Sequence, residues 1–331
     1  MTENTPNFKN SLFAWAQLVR LPNIFTVWAD VTMAFCFTLG AGIFTLRSAW
    51  LAAYCLLLAA ASLMYAAGMI LNDLHDLPED TRLRPERPLV RGAITPKAAK
   101  RAAYGAMLGG FFLFLVAAAM TAANGGLFFA AVPAALLAGC ILLYNTRLKE
   151  TLTGPFLMGA CRALNLLAVM GVAAGPNFLQ YHLLIPAAMF LYITSLTFYA
   201  RNETEEGMRK SGVPLGVLSV LGMMGGILML YPVVGAIQET FPSLLNPVLA
   251  EEPWRWMILI IFLALFVGGR TFSPLLGGNP KNVRRGVKQA IFTLFILDAA
   301  LVFAVTDIFT AVVILAMMIP AVILGNYLYS T

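Results

Sequence analysis

The stretch MILNDLHDLPEDTRLRPERPLV, residues 69–90, decides how this chain is read. It runs straight out of the apolar segment ASLMYAAG, residues 61–68, into Asp73, Asp76, Glu79 and Asp80, then into Arg82, Arg84 and Arg87. Only 11% of the residues are charged, so a concentration of both signs at one place calls for a cause. Charged groups close to lipid are costly unless they are paired or hold a ligand. Asn72, Asp76 and Asp80 are spaced i, i+4, i+8, and Asp73, Asp76 and Asp80 are spaced i, i+3, i+7. A helix continuing through the stretch puts all four on one face. Pro78 is expected to bend or end that helix, tilting Asp80 relative to the others. His75 points about 100° off the stripe and reads as a surface histidine.

Three carboxylates on one stripe repel each other and stay neighbours only around a cation or under good solvent screening. The arginines that follow at once favour a cation that bridges to a polyanion. Mg2+ takes hard oxygen ligands and is commonly shared between one or two carboxylates and substrate phosphates. Arginines can grip the remaining phosphate oxygens bidentately. A diphosphate suits this pattern, and the apolar setting makes the rest of the guest apolar.

That setting follows from composition. The chain has 331 residues, 60% of them hydrophobic, with a mean hydropathy of +0.80. A soluble domain is nearer about 25% charged, so this is an all-α integral membrane protein. Apolar spans fall near 21–43, 49–71, 102–122, 126–143, 153–174, 183–199, 213–236, 254–269, 289–305 and 308–328. A helix needs about 20 residues to cross about 30 Å of hydrocarbon, and most of these qualify, with 254–269 the short one.

The net charge of +6 is a topology signal before it is anything else. Apart from Arg47, Arg162 and Arg255, every Lys and Arg lies on the N-terminus or on alternate loops, which places that side and both termini in the cytoplasm. Nucleic acid is not an expected partner. The N-terminus lacks the pattern of a removable signal peptide. Cys36, Cys55, Cys140 and Cys161 all lie in apolar segments with no CxxC, so neither disulfides nor a zinc site is expected. The chain reads as one transmembrane domain, 1–331, with polar loops at 72–101 and 200–212 as the active-site loops. The opposite side has one long loop, 237–253, expected to be structured.

NDLHDLPED at 72–80 fits the NDxxDxxxD motif of the UbiA superfamily of membrane prenyltransferases, and RPERPLVRGAIT at 84–95 resembles the basic segment that follows it there. LLYNTRLKE at 142–150 resembles the family's Tyr…Lys segment, with Tyr144 and Lys149 at the matching positions. LVRLPNIFTVWAD at 18–30 resembles its first helix, where Asn23 matches a polar residue facing the diphosphate. MGACRALN (158–165) and YARNETEEG (199–207) look most like the EboC-like branch. The resemblance implies a bundle of about nine transmembrane helices, so a tenth at 308–328 is a departure. It also implies Mg2+-dependent transfer of an isoprenoid chain from a prenyl diphosphate to an acceptor that the sequence does not identify.

The roles follow from the same resemblance. Asp73, Asp76 and Asp80 would bind Mg2+ and act as the catalytic carboxylates. Asn23 and Asn72 would orient the diphosphate, with Arg87, Lys149 and Arg162 neutralising its oxygens and Tyr144 and Asn165 close by. The family's second acidic motif, DxxxD, is represented only by RNETEEG, with Asn202 at the first aspartate's place and Glu206 at the second. Glu203 and Glu206, one helical turn apart, would serve a second ion with less charge. This departure keeps two other readings open: a membrane protein that binds prenyl diphosphate or lipid without turnover, and a terpene cyclase of the same superfamily.

Asp30 and Arg162 lie inside spans, where a charge costs about 2.5–3.5 kcal/mol on insertion scales, so each needs a partner or a wet cavity. An Asp30–Arg162 pair and an Arg162 that touches the ligand are both consistent with the sequence. Asp298 has no assigned role beyond a structural pair. Tyr65 and Tyr199, near the two acidic segments, are candidates to shelter an allylic cation with their ring faces.

Overall fold

The computed structural model describes the backbone of residues 8–121, 126–175, 177, 180–203, 205–276 and 280–329. The side chains at 8–10, 180, 205–213, 276, 280 and 329 lie outside the described set. Every regular element among these residues is helical. In chain order they are α1 (Phe8–Leu18), α2 (Ile24–Leu39), α3 (Ser48–Leu83), α4 (Pro96–Thr121), α5 (Gly126–Leu143), α6 (Gly154–Ala174) and α7 (Gln180–Ala200). There follow α8 (Glu205–Leu228), α9 (Val233–Thr240), α10 (Pro247–Glu251), α11 (Trp254–Leu276), α12 (Pro280–Val305), α13 (Ile308–Ala316) and α14 (Met318–Tyr329).

Among the described residues, nine helical segments are long and apolar enough to cross a bilayer, the last being Ile308–Leu328, formed by α13 and α14. The helix α2, with 16 residues, is the shorter remaining segment. It spans about 24 Å at 1.5 Å per residue, and the turns at Leu21–Asn23 and Ile43–Thr45 extend it at both ends. The segment expected to be short, 254–269, is a helix of 23 residues, because α11 continues through Gly268, Gly269 and Arg270. The amphipathic α1 had no counterpart among the expected spans.

The central helix is α2, which packs against α3, α6 and α12. Its buried residues run almost without a gap from Ala29 to Phe37. Around it, sequential neighbours pack in order from α3 to α8, then α11, α12 and α13. The outer surface carries exposed Leu108, Phe128, Phe262 and Phe309, as a lipid-facing surface should. Without a hydrophobic drive between helices inside lipid, close approach depends on small residues. Gly171 of α6 shows this: a Cβ there would stand 2.2 Å from the Phe129 carbonyl oxygen of α5.

On the side opposite the acidic stretch, the 237–253 loop is structured as expected, through α10. Asn246 caps that helix and its side-chain amide donates to the Thr306 carbonyl at 2.9 Å, tying the loop to the end of α12. Asp307 caps α13, accepting from the Thr310 amide at 2.8 Å, and Thr310 Oγ1 accepts from the Ile43 amide at 3.0 Å.

The functional end depends on the length of α3. At 36 residues it is about 54 Å long, well beyond the about 30 Å of hydrocarbon. Its last turns therefore project from the membrane as helix and carry the acidic stripe with them. Pro78 does not end it; α3 continues to Leu83. The carboxylates at 73, 76 and 80 thus stay on one continuous helical face.

Candidate active site

At the projecting end of α3 the chain builds two connected chambers. The outer one, of about 580 Å³, is a polar vestibule lined by Arg20, Asn23, Asn72, Asp76, Arg84, Arg87, Tyr144, Lys149, Glu203 and Arg284. The inner one, of about 430 Å³, lies among α2, α3, α5, α6, α7 and α12 and is walled chiefly by apolar side chains such as Met64, Ile141, Leu196 and Leu294. Arg20, Asn23, Asn72 and Tyr144 line both, so they form the passage between the chambers.

Asp73 and Asp80 are buried, Asp76 is half-buried, and all three are paired. Asp73 accepts from Arg20 Nη2 at 3.2 Å and from Arg87 Nη1 at 3.3 Å. Arg87 also donates to Asp80, whose other oxygen lies 3.6 Å from Arg84. Lys149 donates to Asp76 and reaches Asn72 Oδ1 at 3.4 Å. Taking two ions out of water is favourable only with good geometry and further hydrogen bonds, and this lattice of shared cations supplies both.

Local backbone explains how the cations arrive. Arg20 is the only non-glycine residue among those described with positive φ, at 49°, in the left-handed region. Such a conformation costs about 1–3 kcal/mol and persists when its surroundings impose it. Here the turn between α1 and α2, with Pro22 in its first positions, sends the guanidinium to Asp73. Lys149 follows a π-helical turn over Tyr144–Leu148, a local expansion frequent at functional sites. Arg201 holds the segment after it, donating to the Lys149 carbonyl at 3.3 Å and the Thr151 carbonyl at 2.6 Å.

Deeper in, Arg162 on α6 pairs with Asp30 on α2, and both line the inner chamber. Asp298 on α12, fully buried, stands close enough to interact with both. The two readings of Arg162 are therefore compatible: it has an acidic partner and it faces the cavity. Asn165 lines the same wall one turn further along α6.

Residues 25–274 match the model of the UbiA prenyltransferase family. The chain belongs to the UbiA prenyltransferase family. A digeranylgeranylglyceryl phosphate synthase of Methanoregula boonei is 33% identical over 162 residues, which are 47% of this chain and 53% of the relative. The chain thus spans about half the length of the curated relative it matches. A solved structure of digeranylgeranylglyceryl phosphate synthase superposes with TM-score 0.61 at 18% identity, covering 89% of this chain and 98% of the other. A UbiA homolog from Archaeoglobus fulgidus bound to DMAPP and Mg2+ superposes with TM-score 0.57 at 14% identity, covering 91% and 99%. These likenesses establish the UbiA fold. They bring forward a digeranylgeranylglyceryl phosphate synthase rather than a member of the EboC-like branch.

Within this UbiA fold, most residues expected from the sequence meet. Asn23, Asn72, Asp76, Arg87, Tyr144 and Lys149 line the vestibule, and Asp73 and Asp80 stand directly behind it, tied to Arg87. His75 is exposed, as expected. Three expectations change. Asn202 is buried, and its amide donates to the Tyr199 carbonyl at 3.1 Å, so it lines neither chamber. Tyr199 is buried and donates to the Thr271 carbonyl at 2.8 Å, fastening α7 to α11 instead of facing the cavity; Tyr65 does line it. Asp30 and Arg162 acquire Asp298 as a third member. The Glu206 side chain lies outside the described residues.

Arg84, named with the arginines after the stripe, lines the vestibule; Arg20, Arg201 and Arg284 were not singled out for the site. The signal available for Arg20 was its place three residues before Asn23; the others carried none beyond charge.

Among the described residues, no three Asp, Glu, His or Cys side chains stand together as a metal-holding group. Mg2+ does not need such a group: it is usually bound by one or two carboxylates with substrate phosphates and waters. Asp76 and the Asn72 amide oxygen, both facing the vestibule, are hard donors of the right kind. The residues present fit the ion.

Proposed function

We propose that the chain is an intramembrane prenyltransferase that transfers an isoprenoid chain from a prenyl diphosphate to an acceptor, with Mg2+ assisting release of diphosphate. The observation that carries this is the pair of chambers. A cation-rich vestibule opens into an apolar cavity through Arg20, Asn23, Asn72 and Tyr144, which is the shape of an amphiphile with an anionic head and a hydrocarbon tail. The excess of Lys and Arg on this side is the argument that the vestibule faces the cytoplasm.

In this reading Asp76 and Asn72 would hold Mg2+, with Asp73 and Asp80 orienting Arg87 and completing the acidic motif. Mg2+, when bound, supplies divalent positive charge at the phosphate oxygens. Lys149 and Arg87 pass from their carboxylates to the diphosphate, and Arg20 and Asn23 fix it at the passage. As the C1–O bond breaks, charge builds on the departing diphosphate, and donors already aimed there stabilise it without reorganisation. The allylic fragment stays in the inner chamber, where apolar walls keep water out. The acceptor's nucleophilic atom bonds to C1, and its proton passes to the released diphosphate. Arg162 and Asn165 are placed to orient the tail or the acceptor.

Binding without turnover remains the second reading, favoured by the turning away of Asn202. The EboC-like placement rests on MGACRALN and YARNETEEG alone. The test uses membranes containing the protein, Mg2+ and labelled prenyl diphosphates of several lengths, followed by lipid extraction. The name of the Methanoregula relative makes prenylated glyceryl phosphate one acceptor to supply. A labelled adduct is expected; diphosphate binding with no adduct and no release selects the second reading, and a cyclic hydrocarbon selects a cyclase.

A further inference from the structure

The described part of the segment matching the family's second acidic motif, Arg201–Glu203, does not present Asn202 to the vestibule. Asn202 is withdrawn into the protein. What faces the vestibule instead is Glu203 with Arg284, from the start of α12, whose Nε lies 3.7 Å from the Glu203 carboxylate. An arginine therefore stands beside Glu203, one of the two carboxylates expected to serve a second ion.

The charges show what this arrangement can accept. Five cations line the vestibule: Arg20, Arg84, Arg87, Lys149 and Arg284. Against them stand four carboxylates, Asp76 and Glu203 on the wall and Asp73 and Asp80 behind it, a net charge of +1 among the described groups. A prenyl diphosphate at neutral pH carries about −2.5 to −3, from a terminal phosphoryl group with a second pKa near about 6 and one inner charge. One divalent cation brings the total close to zero. A second leaves an excess of about +2 among the described groups, where like charges repel strongly.

We infer that this site binds its diphosphate with one divalent cation, on the Asn72–Asp76 side, and that Arg284 takes the place of the second. The inference rests on the prenyl-diphosphate reading above and goes beyond it by assigning Arg284 and the number of ions. Arg284 is suited to the exchange. Its side chain is 62% exposed and, among the described residues, pairs with one carboxylate 3.7 Å away, so it can swing to a phosphate without breaking a buried pair. A guanidinium offers a fork of donors matched to phosphate oxygens.

The experiment counts ions directly. Purified full-length protein in nanodiscs is titrated with Mn2+ in the presence of saturating geranyl S-thiolodiphosphate, and free Mn2+ is followed by electron paramagnetic resonance. One Mn2+ per chain is expected. Arg284→Gln should keep that stoichiometry and weaken binding of the analogue roughly 10- to 150-fold, the range for losing one charge-assisted hydrogen bond. Arg284→Lys should fall between, which separates lost charge from lost folding. Two Mn2+ per chain, or unchanged analogue affinity in Arg284→Gln, overturns the inference and leaves the prenyl-diphosphate reading intact. No binding of the analogue or of Mn2+ to the unmodified protein overturns that reading itself.

Discussion

Replacing Arg162 by Leu isolates the energetics of the membrane interior. Asp30 is 2% exposed and Asp298 is 0% exposed; Arg162 pairs with Asp30 and lies close enough to Asp298 to interact with it. Removing it leaves two carboxyl groups facing each other with no positive partner. Breaking a buried pair by deleting one member typically costs about 3–5 kcal/mol, because the remaining charge stays desolvated. At about 1.4 kcal/mol per decade this is a loss of roughly 10² to 10⁴ in the ratio of folded to unfolded protein. Replacing all three groups is different in kind, since neutral groups of similar size carry no such penalty. The triple variant Asp30→Asn, Arg162→Leu, Asp298→Asn should therefore recover most of the loss, to within about 1–2 kcal/mol. Equilibrium unfolding in mixed dodecyl maltoside and SDS micelles, followed by tryptophan fluorescence, measures both. An Arg162→Leu protein that unfolds at the same SDS fraction as its parent refutes the reasoning, and so does a triple variant as unstable as the single one.

Other outcomes follow from the same contacts. Lys149→Met removes the partner of Asp76 and Asn72, and should weaken equilibrium binding of geranyl S-thiolodiphosphate by roughly 10- to 150-fold with the helical content unchanged. Asn202→Asp restores the family's motif residue in name only. It loses the donor to the Tyr199 carbonyl and buries a charge, so lower thermal stability and no gain in Mn2+ stoichiometry are expected, as read by unfolding and by paramagnetic titration. Gly171→Ala brings a methyl group within 2.2 Å of the Phe129 carbonyl, and since backbone cannot yield as a side chain can, α5 and α6 must part. Overpacking of this kind costs about 1–3 kcal/mol, visible as a shift of the SDS midpoint.

Much of this architecture is legible in the sequence because membrane helices report themselves locally. Twenty apolar residues make a span whatever their neighbours, and the 3.6-residue period places Asn72, Asp73, Asp76 and Asp80 on one face before any contact is known. The stripe survives Pro78 because one lost backbone bond near the end of a long, well-packed helix does not break it. The 254–269 span looked short because Gly268, Gly269 and Arg270 interrupt its apolarity. In the structure Arg270 instead lays its guanidinium over the Phe266 ring at 5.4 Å, and the helix continues.

What the sequence concealed depends on contacts between distant segments. Arg20 meets Asp73 across 53 residues, through a left-handed turn that no propensity for arginine announces. Arg284 reaches the vestibule from α12, and along the chain it is one of many basic residues on that side. The orientation of Asn202 is set by the single tight turn Arg201–Glu203, which aims its amide at the Tyr199 carbonyl. The role of Asp298 appears only when α12 is packed against α2 and brings it to Asp30.

The central claim is that the buried acidic face of α3 works with basic side chains from four other segments to hold and release an isoprenoid diphosphate. Its most direct test is the rate of diphosphate release from labelled geranyl diphosphate by purified protein, with Mg2+ and after chelation by EDTA, for the parent and for Asp73→Asn and Asp76→Asn. The account predicts release that requires the divalent ion and falls by two orders of magnitude or more in either variant. Release at the parent's rate from both variants, or at full speed in EDTA, contradicts it.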